Sequence, residues 1–349
     1  MNFKRLRIMI RARNREFFRD KAAFGWNFLF PFLIVAGFGI IFGGQEFIQY
    51  KVGVFTPVLE TAANEHEDIP QRFRRTRFIQ FIRFTSAEEA FEKLRYHKID
   101  FLLKAGPPPY QYWINNSSPK GYILEKIFQS SLLPGDNLDL AHKEEIKGRQ
   151  IRYIDWLFPG ILTMNMMFSA LWGVGYILVR YRKNGVLKRL KATPLTAFEY
   201  LSAQMLSRIF LLMFTLIIVW IGCDLIFSFY VEGSYIDLVI VFFIGSFSLT
   251  ALGLVFAARG TSEEFTNGIL TFVTWPMMFL SEVWFSLEGA PGWVKSVTQI
   301  FPLTHLLKAV RKIMHDGAGL IDVAPEMAIL TVMTLTFLIA GAAMFSWDR

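Results

Sequence analysis

Apolar residues gather in six long runs, separated by stretches where charge returns. The runs cover about Phe24–Gly43, Ile154–Val179, Met205–Phe229, Tyr235–Ala257, Phe265–Phe285 and Pro325–Trp347. Each is about 20 residues, the helix length that crosses a hydrocarbon core ~30 Å thick. The pattern predicts an α-helical polytopic membrane protein with six transmembrane helices, the first carrying Pro31 as the source of a kink. Ahead of it, Phe3, Leu6, Ile10 and Phe17 recur at spacings of three, four and seven, with arginines on the other faces. This spacing predicts an amphipathic helix over 1–23 lying in the membrane interface. A plain basic anchor without a defined helix is the other reading.

The polar stretch 44–153 between the first two runs holds no segment long enough to span. Tyr50–Phe55 (YKVGVF) and Ile99–Leu103 (IDFLL) are strand-like. Ser86-Ala87-Glu88-Glu89 has the form of a capping box and predicts a helix to about Lys98, with Ala87, Ala90, Phe91 and Leu94 on its apolar face. A second helix is expected from Ser118-Pro119, carrying Ile123, Leu124 and Ile127. Pro107, Pro108 and Pro109 break the chain between them. The stretch therefore predicts an inserted α/β domain joined to the membrane at both ends. Its cluster Arg72, Arg74, Arg75 and Arg77 suits lipid headgroups or an anionic substrate, or else is a solvated surface. His66 among Glu65, Glu67 and Asp68 is a weak metal pattern, and no metal site is expected.

Composition narrows the class. Of 349 residues 53% are hydrophobic and 19% charged, against ~25% charged in soluble domains. A soluble enzyme and a disordered chain are excluded. Cys223 is the single cysteine, so a disulfide scaffold is excluded too. The net charge of +8 raises the question of nucleic acid, but its placement answers it. Lys4, Arg5, Arg7, Arg11, Arg13, Arg15, Arg19 and Lys21 precede the first run, and Arg180, Arg182, Lys183, Lys188, Arg189 and Lys191 lie between the second and third. Basic flanks mark the cytoplasmic side. Both termini and the Arg180–Lys191 loop are expected in the cytoplasm, and the α/β domain outside, in the periplasm or extracellular space. Membrane lipids are expected partners and nucleic acid is not.

The chemistry missing from the sequence matters as much. There is no GxxxxGK[ST] phosphate loop, HExxH, GxSxG or CxxC. No carboxylate or histidine relay is evident mid-span, because Asp224 and Glu282 fall near span ends. No catalytic residue is assigned, and energy for any transport is expected from another subunit.

Two segments carry the most information. Between the second and third runs, Leu187 and Leu190 sit three apart among Lys188, Arg189 and Lys191, and Thr193-Pro194 ends that short helix. It reads as a handle for a partner or as a plain interfacial helix. After the fifth run, Glu288-Gly289-Ala290-Pro291-Gly292 and Phe301-Pro302-Leu303-Thr304 make two breaks around pieces too short to cross. This predicts a re-entrant outer hairpin over 281–304, with protein covering its broken backbone.

At these residues the chain resembles the membrane subunits of type-2 ABC exporters, the ABC-2 permease family. Gly185, Leu187, Lys188, Arg189, Leu190, Thr193, Pro194 and Leu195 match the family's coupling helix, here within 181–199. Pro291, Trp293, Pro302, Leu303, Thr304 and Arg311 match its outer hairpin, and Ile154–Gly160 its Pro-Gly lead-in to the second span. The chain departs in having Arg182, Lys183 and Asn184 where the family often has an acid, and Glu282 where it often has glycine. The insert resembles the subgroup with a large domain between the first two spans. The resemblance implies an exporter permease, a transport subunit and not an enzyme, moving a hydrophobic or amphipathic substrate such as a drug or lipid outward across a bacterial inner membrane. It implies a partner ABC ATP-binding subunit that holds Mg-ATP, and a second copy or paralogous permease. It also implies a path along spans two and five, where Met164, Met167, Phe168, Met277 and Met278 are candidate lining residues or ordinary packing. A membrane-anchored sensor or assembly factor with a ligand-binding outer domain is the alternative. An ion-coupled carrier is disfavoured by the missing mid-span charge.

Overall fold

The computed structural model describes residues 3–42, 50–55, 69–133, 151–258, 260 and 262–347. The chain forms two compact units, Met1–Gly43 with Arg149–Arg349, and Gly44–Gly148. In chain order, α1 (Phe3–Arg19) and α2 (Lys21–Phe42) precede β1 (Tyr50–Phe55), α3 (Gln71–Arg74), β2 (Ile79–Phe84), α4 (Ala87–Arg95), β3 (Phe101–Lys104), β4 (Tyr112–Ile114) and α5 (Pro119–Ser131). The first unit resumes at α6 (Tyr153–Ala170), which runs through a π-helical turn, Leu171–Tyr176, into α7 (Ile177–Lys183). There follow α8 (Val186–Lys191), α9 (Ala197–Phe227), α10 (Tyr235–Ala258), α11 (Glu263–Leu280), α12 (Gly292–Thr298), α13 (Pro302–Asp316) and α14 (Ala324–Met344).

Five helical stretches among the described residues are long and apolar enough to cross a membrane: Phe24–Ile41, Tyr153–Lys183, Ala197–Phe227, Tyr235–Ala258 and Ala324–Met344. The run expected at Phe265–Phe285 is α11, which stops at Leu280. Glu263, Glu264, Thr266, Asn267 and Pro276 make it more polar than those five. The third run begins at Ala197, well before Met205, because Thr196 and Glu199 form a capping box with both hydrogen bonds at 3.2 Å. Central α10 packs against α14, α13, α6, α9 and the π turn. Gly245, Ser246, Ser248, Thr250 and Gly253 are among its buried residues. Small residues let helices approach closely where lipid supplies no hydrophobic drive.

The second unit holds a four-stranded sheet in the order β2-β1-β3-β4, with β1 parallel to β2 and β3, and β3 antiparallel to β4. Val52, Val54, Phe73, Phe101, Leu103, Leu124 and Phe128 form one core, and Phe55, Ala90, Leu94, Ile99 and Leu102 another. Alternating residues of β1 and β3 thus feed opposite faces. Ser86 caps α4, and Ser118 caps α5 through Gly121 N at 3.1 Å. The buried face of α5 is Leu124 and Phe128, whereas Ile123 is exposed, a rotation of the face expected from sequence. α4 ends at Arg95, before Lys98, as His97 turns to positive φ (54°). Arg72, Arg74, Arg75 and Arg77 lie on the surface, and Arg72 donates to Leu133 O at 3.2 Å. Glu65, His66, Glu67 and Asp68 lie outside the described residues.

Candidate functional site

The short basic helix is built by one backbone reversal. α7 runs to Lys183, and Gly185 at φ +70°, a conformation that favours glycine, turns the chain into α8. Leu187 is fully buried with Leu178, Tyr200, Leu201 and Met205, and Leu190 packs on the edge of that cluster. Leu187 thus faces its own subunit, and the expected apolar pair splits. Lys188, Arg189, Lys191, Thr193 and Pro194 are exposed. Phe198, the second residue of α9, is 68% exposed beside them. Phe198 falls within the 181–199 segment, but sequence reasoning passed over it because only the leucine and basic positions carried the match.

α1 is fastened to this helical turn. Arg5 donates to Pro194 O and lies 3.9 Å from the buried carboxylate of Glu199. Arg13 pairs with Glu16 at 2.7 Å, donates to the Tyr181 hydroxyl and lies over its ring, while that hydroxyl donates to Glu16. Ser207 donates to Asn14 Oδ1 at 2.6 Å. Leu6 is buried and Phe3 is exposed, so polar groups share the inward face of α1 with the expected apolar stripe.

The basic residues ahead of Gly185 have partners within the chain. Arg182, buried, donates to the carbonyls of Ala257, Ala258, Gly260 and Ser346, closing the C-terminus of α10 with a cation. Lys183 lies 3.4 Å from Glu263 and 3.6 Å from Glu264. Glu263, ahead of the apolar part of α11, is held below the ordinary carboxylate range, first by the Tyr176 hydroxyl at 2.6 Å and also by Lys183.

At the other end of the bundle, the break after α11 is held by side chains. Ser281 Oγ and Thr304 Oγ1 are 2.9 Å apart. Glu282 takes φ +62°, and its carboxylate accepts Leu287 N at 3.1 Å. Arg311 Nη2 donates to Glu282 O at 2.8 Å, its guanidinium lies 3.7 Å above the Trp156 ring, and Nη1 is 3.7 Å from the Glu282 carboxylate. Gly160 meets the Val283 carbonyl so closely that a Cβ there would sit 2.8 Å from its oxygen. Tyr153 donates to Trp284 O at 2.9 Å. Pro302 opens α13, and Leu303 is buried. Glu282, Thr304 and Arg311 therefore converge on one cavity. Pro291 and Trp293 stand apart on α12, where Trp293 is exposed.

The proposed path residues divide. Met164, Met167, Met277 and Met278 are buried in the subunit's own interior. Phe168 lines an open cavity of about 420 Å³ together with Trp26, Asn27, Phe30, Asn165, Ser169, Trp172 and Arg208. Arg208 was not singled out from the sequence. It lies inside α9 and is 8% exposed. It sits three residues in from Met205, near the start of the expected third run, where it shares a pocket with Arg13 and Glu16 of α1 and with Asp20. Among the described residues, no group of three or more His, Cys, Asp or Glu is arranged to hold a metal ion.

The profile of the family described as ABC-2 family transporter protein matches residues 21–343. The chain is 22% identical over 189 residues to the daunorubicin resistance ABC transporter permease protein DrrB1 of Streptomyces coeruleorubidus, covering 53% of this chain and 66% of that protein. It is 25% identical over 197 residues to the inner membrane transport permease YhhJ of Escherichia coli (strain K12), covering 54% and 50%. It is 24% identical over 225 residues to the probable multidrug ABC transporter permease YbhR of the same strain, covering 63% and 61%. The chain thus spans between 50% and 66% of the length of these relatives.

Proposed function

The chain belongs to the ABC-2 family of transporter proteins, and from that premise we propose that it is the permease subunit of an ATP-driven exporter. The observation that carries this reading is the exposed basic turn around α8, whose leucine is locked inward. Exposed Lys188, Arg189, Thr193, Pro194 and Phe198 form the docking face for a separate ATP-binding subunit. That subunit holds Mg-ATP, since this sequence lacks a phosphate loop. Closure of the ATPase pair pushes on α8, and the Arg5 and Arg13 contacts carry the motion into α1 and α9.

In this reading α11 is the fifth of six spans, because it lies between the α8 end and the α12 hairpin. Both termini and α8 face the cytoplasm of a bacterial inner membrane, following the basic flanks, and the unit Gly44–Gly148 is an insert on the outer side. Phe265, Phe272, Trp275 and Phe279 form an exposed stripe on α11, which supports packing against a second copy or a paralogous permease. The names of the relatives, daunorubicin resistance and multidrug transport, support an apolar or amphipathic cargo moved outward.

The test is association. Arg189→Glu with Phe198→Asp is expected to abolish co-purification of an ATP-binding subunit while leaving the permease monodisperse. Undiminished co-purification of the double variant would refute α8 as the docking face.

A further inference from the structure

We propose that the cleft between α2 and α6 binds an amphiphile with an anionic headgroup, seated on Arg208 against an aromatic wall. Arg208 reaches this cleft across Gly173, where a Cβ would lie 2.0 Å from the guanidinium carbon. Any side chain at 173 closes that crossing. Its Nη2 donates to the carbonyl and hydroxyl of Ser169, both neutral. Its Nε has no hydrogen-bond partner. No acidic side chain among the described residues forms an ion pair with it. Glu16 and Asp20 border a smaller pocket of about 80 Å³ that also touches Arg208, but Glu16 is engaged by Arg13 and Tyr181. A guanidinium buried among neutral acceptors is incompletely compensated, and an ionised acid is the partner that completes it.

The rest of the cleft suits a chain as well as a head. Trp26 and Phe30 stack at 5.5 Å on α2, and Phe168 and Trp172 lie 5.5 Å apart across the α6–π junction. Asn27, Asn165 and Ser169 make a polar line beside Arg208. Trp26 is 63% exposed, leaving the cleft open on the α2 side. The volume of about 420 Å³ falls within the ~300–1,000 Å³ of small-molecule sites. A hydrophobic tail lies on the aromatics while its acid meets the guanidinium. The cleft takes in Phe168, and to that extent the proposal rests on the permease reading. Binding here needs no ATPase, so the two readings fail separately.

The experiment uses the full chain in phosphatidylcholine nanodiscs and two photoreactive probes with one tail: a diazirine fatty acid and its methyl ester. Labelled peptides are mapped by mass spectrometry. The acid is expected to label α2 and α6 at least tenfold more than the ester. Asn165→Asp, which adds a negative charge to the wall, and Arg208→Gln are each expected to erase that preference, and Arg208→Lys to keep part of it. Should Arg208→Gln fail to fold, the ester pair and Asn165→Asp still decide. Equal labelling by acid and ester, or a preference unchanged in Asn165→Asp, would overturn the proposal. Replacing phosphatidylcholine with phosphatidylglycerol separates the sources. Loss of labelling assigns the cleft to membrane lipid, persistence assigns it to a free single-chain acid, and both support an anion site.

Discussion

At the scale of single residues, contacts that join distant helices hold the break after α11. Arg311 satisfies the Glu282 carbonyl, stacks on Trp156 and neutralises the nearby carboxylate with one planar group. Lysine cannot do all three, because a single ammonium lacks the flat fork. Arg311→Lys is expected to lower the thermal midpoint in detergent by leaving a part-buried acceptor without its donor, a cost of about 1 kcal/mol. An unchanged midpoint would show that Arg311 does not hold the break. Gly160→Val is expected to be at least as damaging, since overpacking against the Val283 backbone costs about 1–3 kcal/mol. Wild-type stability in that variant would mean that α6 and the break are not in contact. Both residues stood inside matched motifs, but their roles were not legible, because Gly160 and Val283 are far apart in sequence. Arg208 was missed for another reason: scanning an apolar run averages away one cation, and its burial depends on the gap at Gly173 in a different helix.

At the scale of elements, periodicity found the long helices and misjudged the short ones. Tyr50–Phe55 was legible as a strand from its short run of β-branched and aromatic residues, although both its faces are buried. β2 and β4 were missed. β2 has both faces covered to a similar degree, which blurs alternation. β4 is three residues long, too short to show a period. α8 exposes the same limit. A spacing of three puts Leu187 and Leu190 near one face, yet the reversal at Gly185 buries one fully and leaves the other at the edge. Two substitutions separate the consequences. Leu187→Ala is expected to destabilise the bundle by about 2–5 kcal/mol through the cavity it leaves, read as a lowered unfolding midpoint. Arg189→Glu is expected to leave the midpoint alone and weaken ATPase association. The reverse pattern would mean that α8 contacts its partner through Leu187 and not through its basic face.

At the scale of the whole molecule, the claim is that one subunit is incomplete. Only 17% of the apolar stretch is fully buried in α2 and in α14, and α11 presents Phe265, Phe272, Trp275 and Phe279 on one side. Cysteine chemistry can test whether a second copy covers that side, because Cys223 is buried and is the single native cysteine. In a Cys223→Ala background, Trp275→Cys is expected to yield an oxidised dimer in membranes. Leu225→Cys, on the exposed tip of α9, is expected to stay monomeric. Equal crosslinking at both positions would indicate collision and not an interface. The most direct test of the central claim is mass spectrometry of what co-purifies with the chain from its native membrane in mild detergent. An ATP-binding subunit in stoichiometric amount, lost in the Arg189→Glu, Phe198→Asp variant, is the predicted result. Reproducible absence of any ATP-binding subunit, under conditions that keep other ABC complexes whole, would contradict the exporter account.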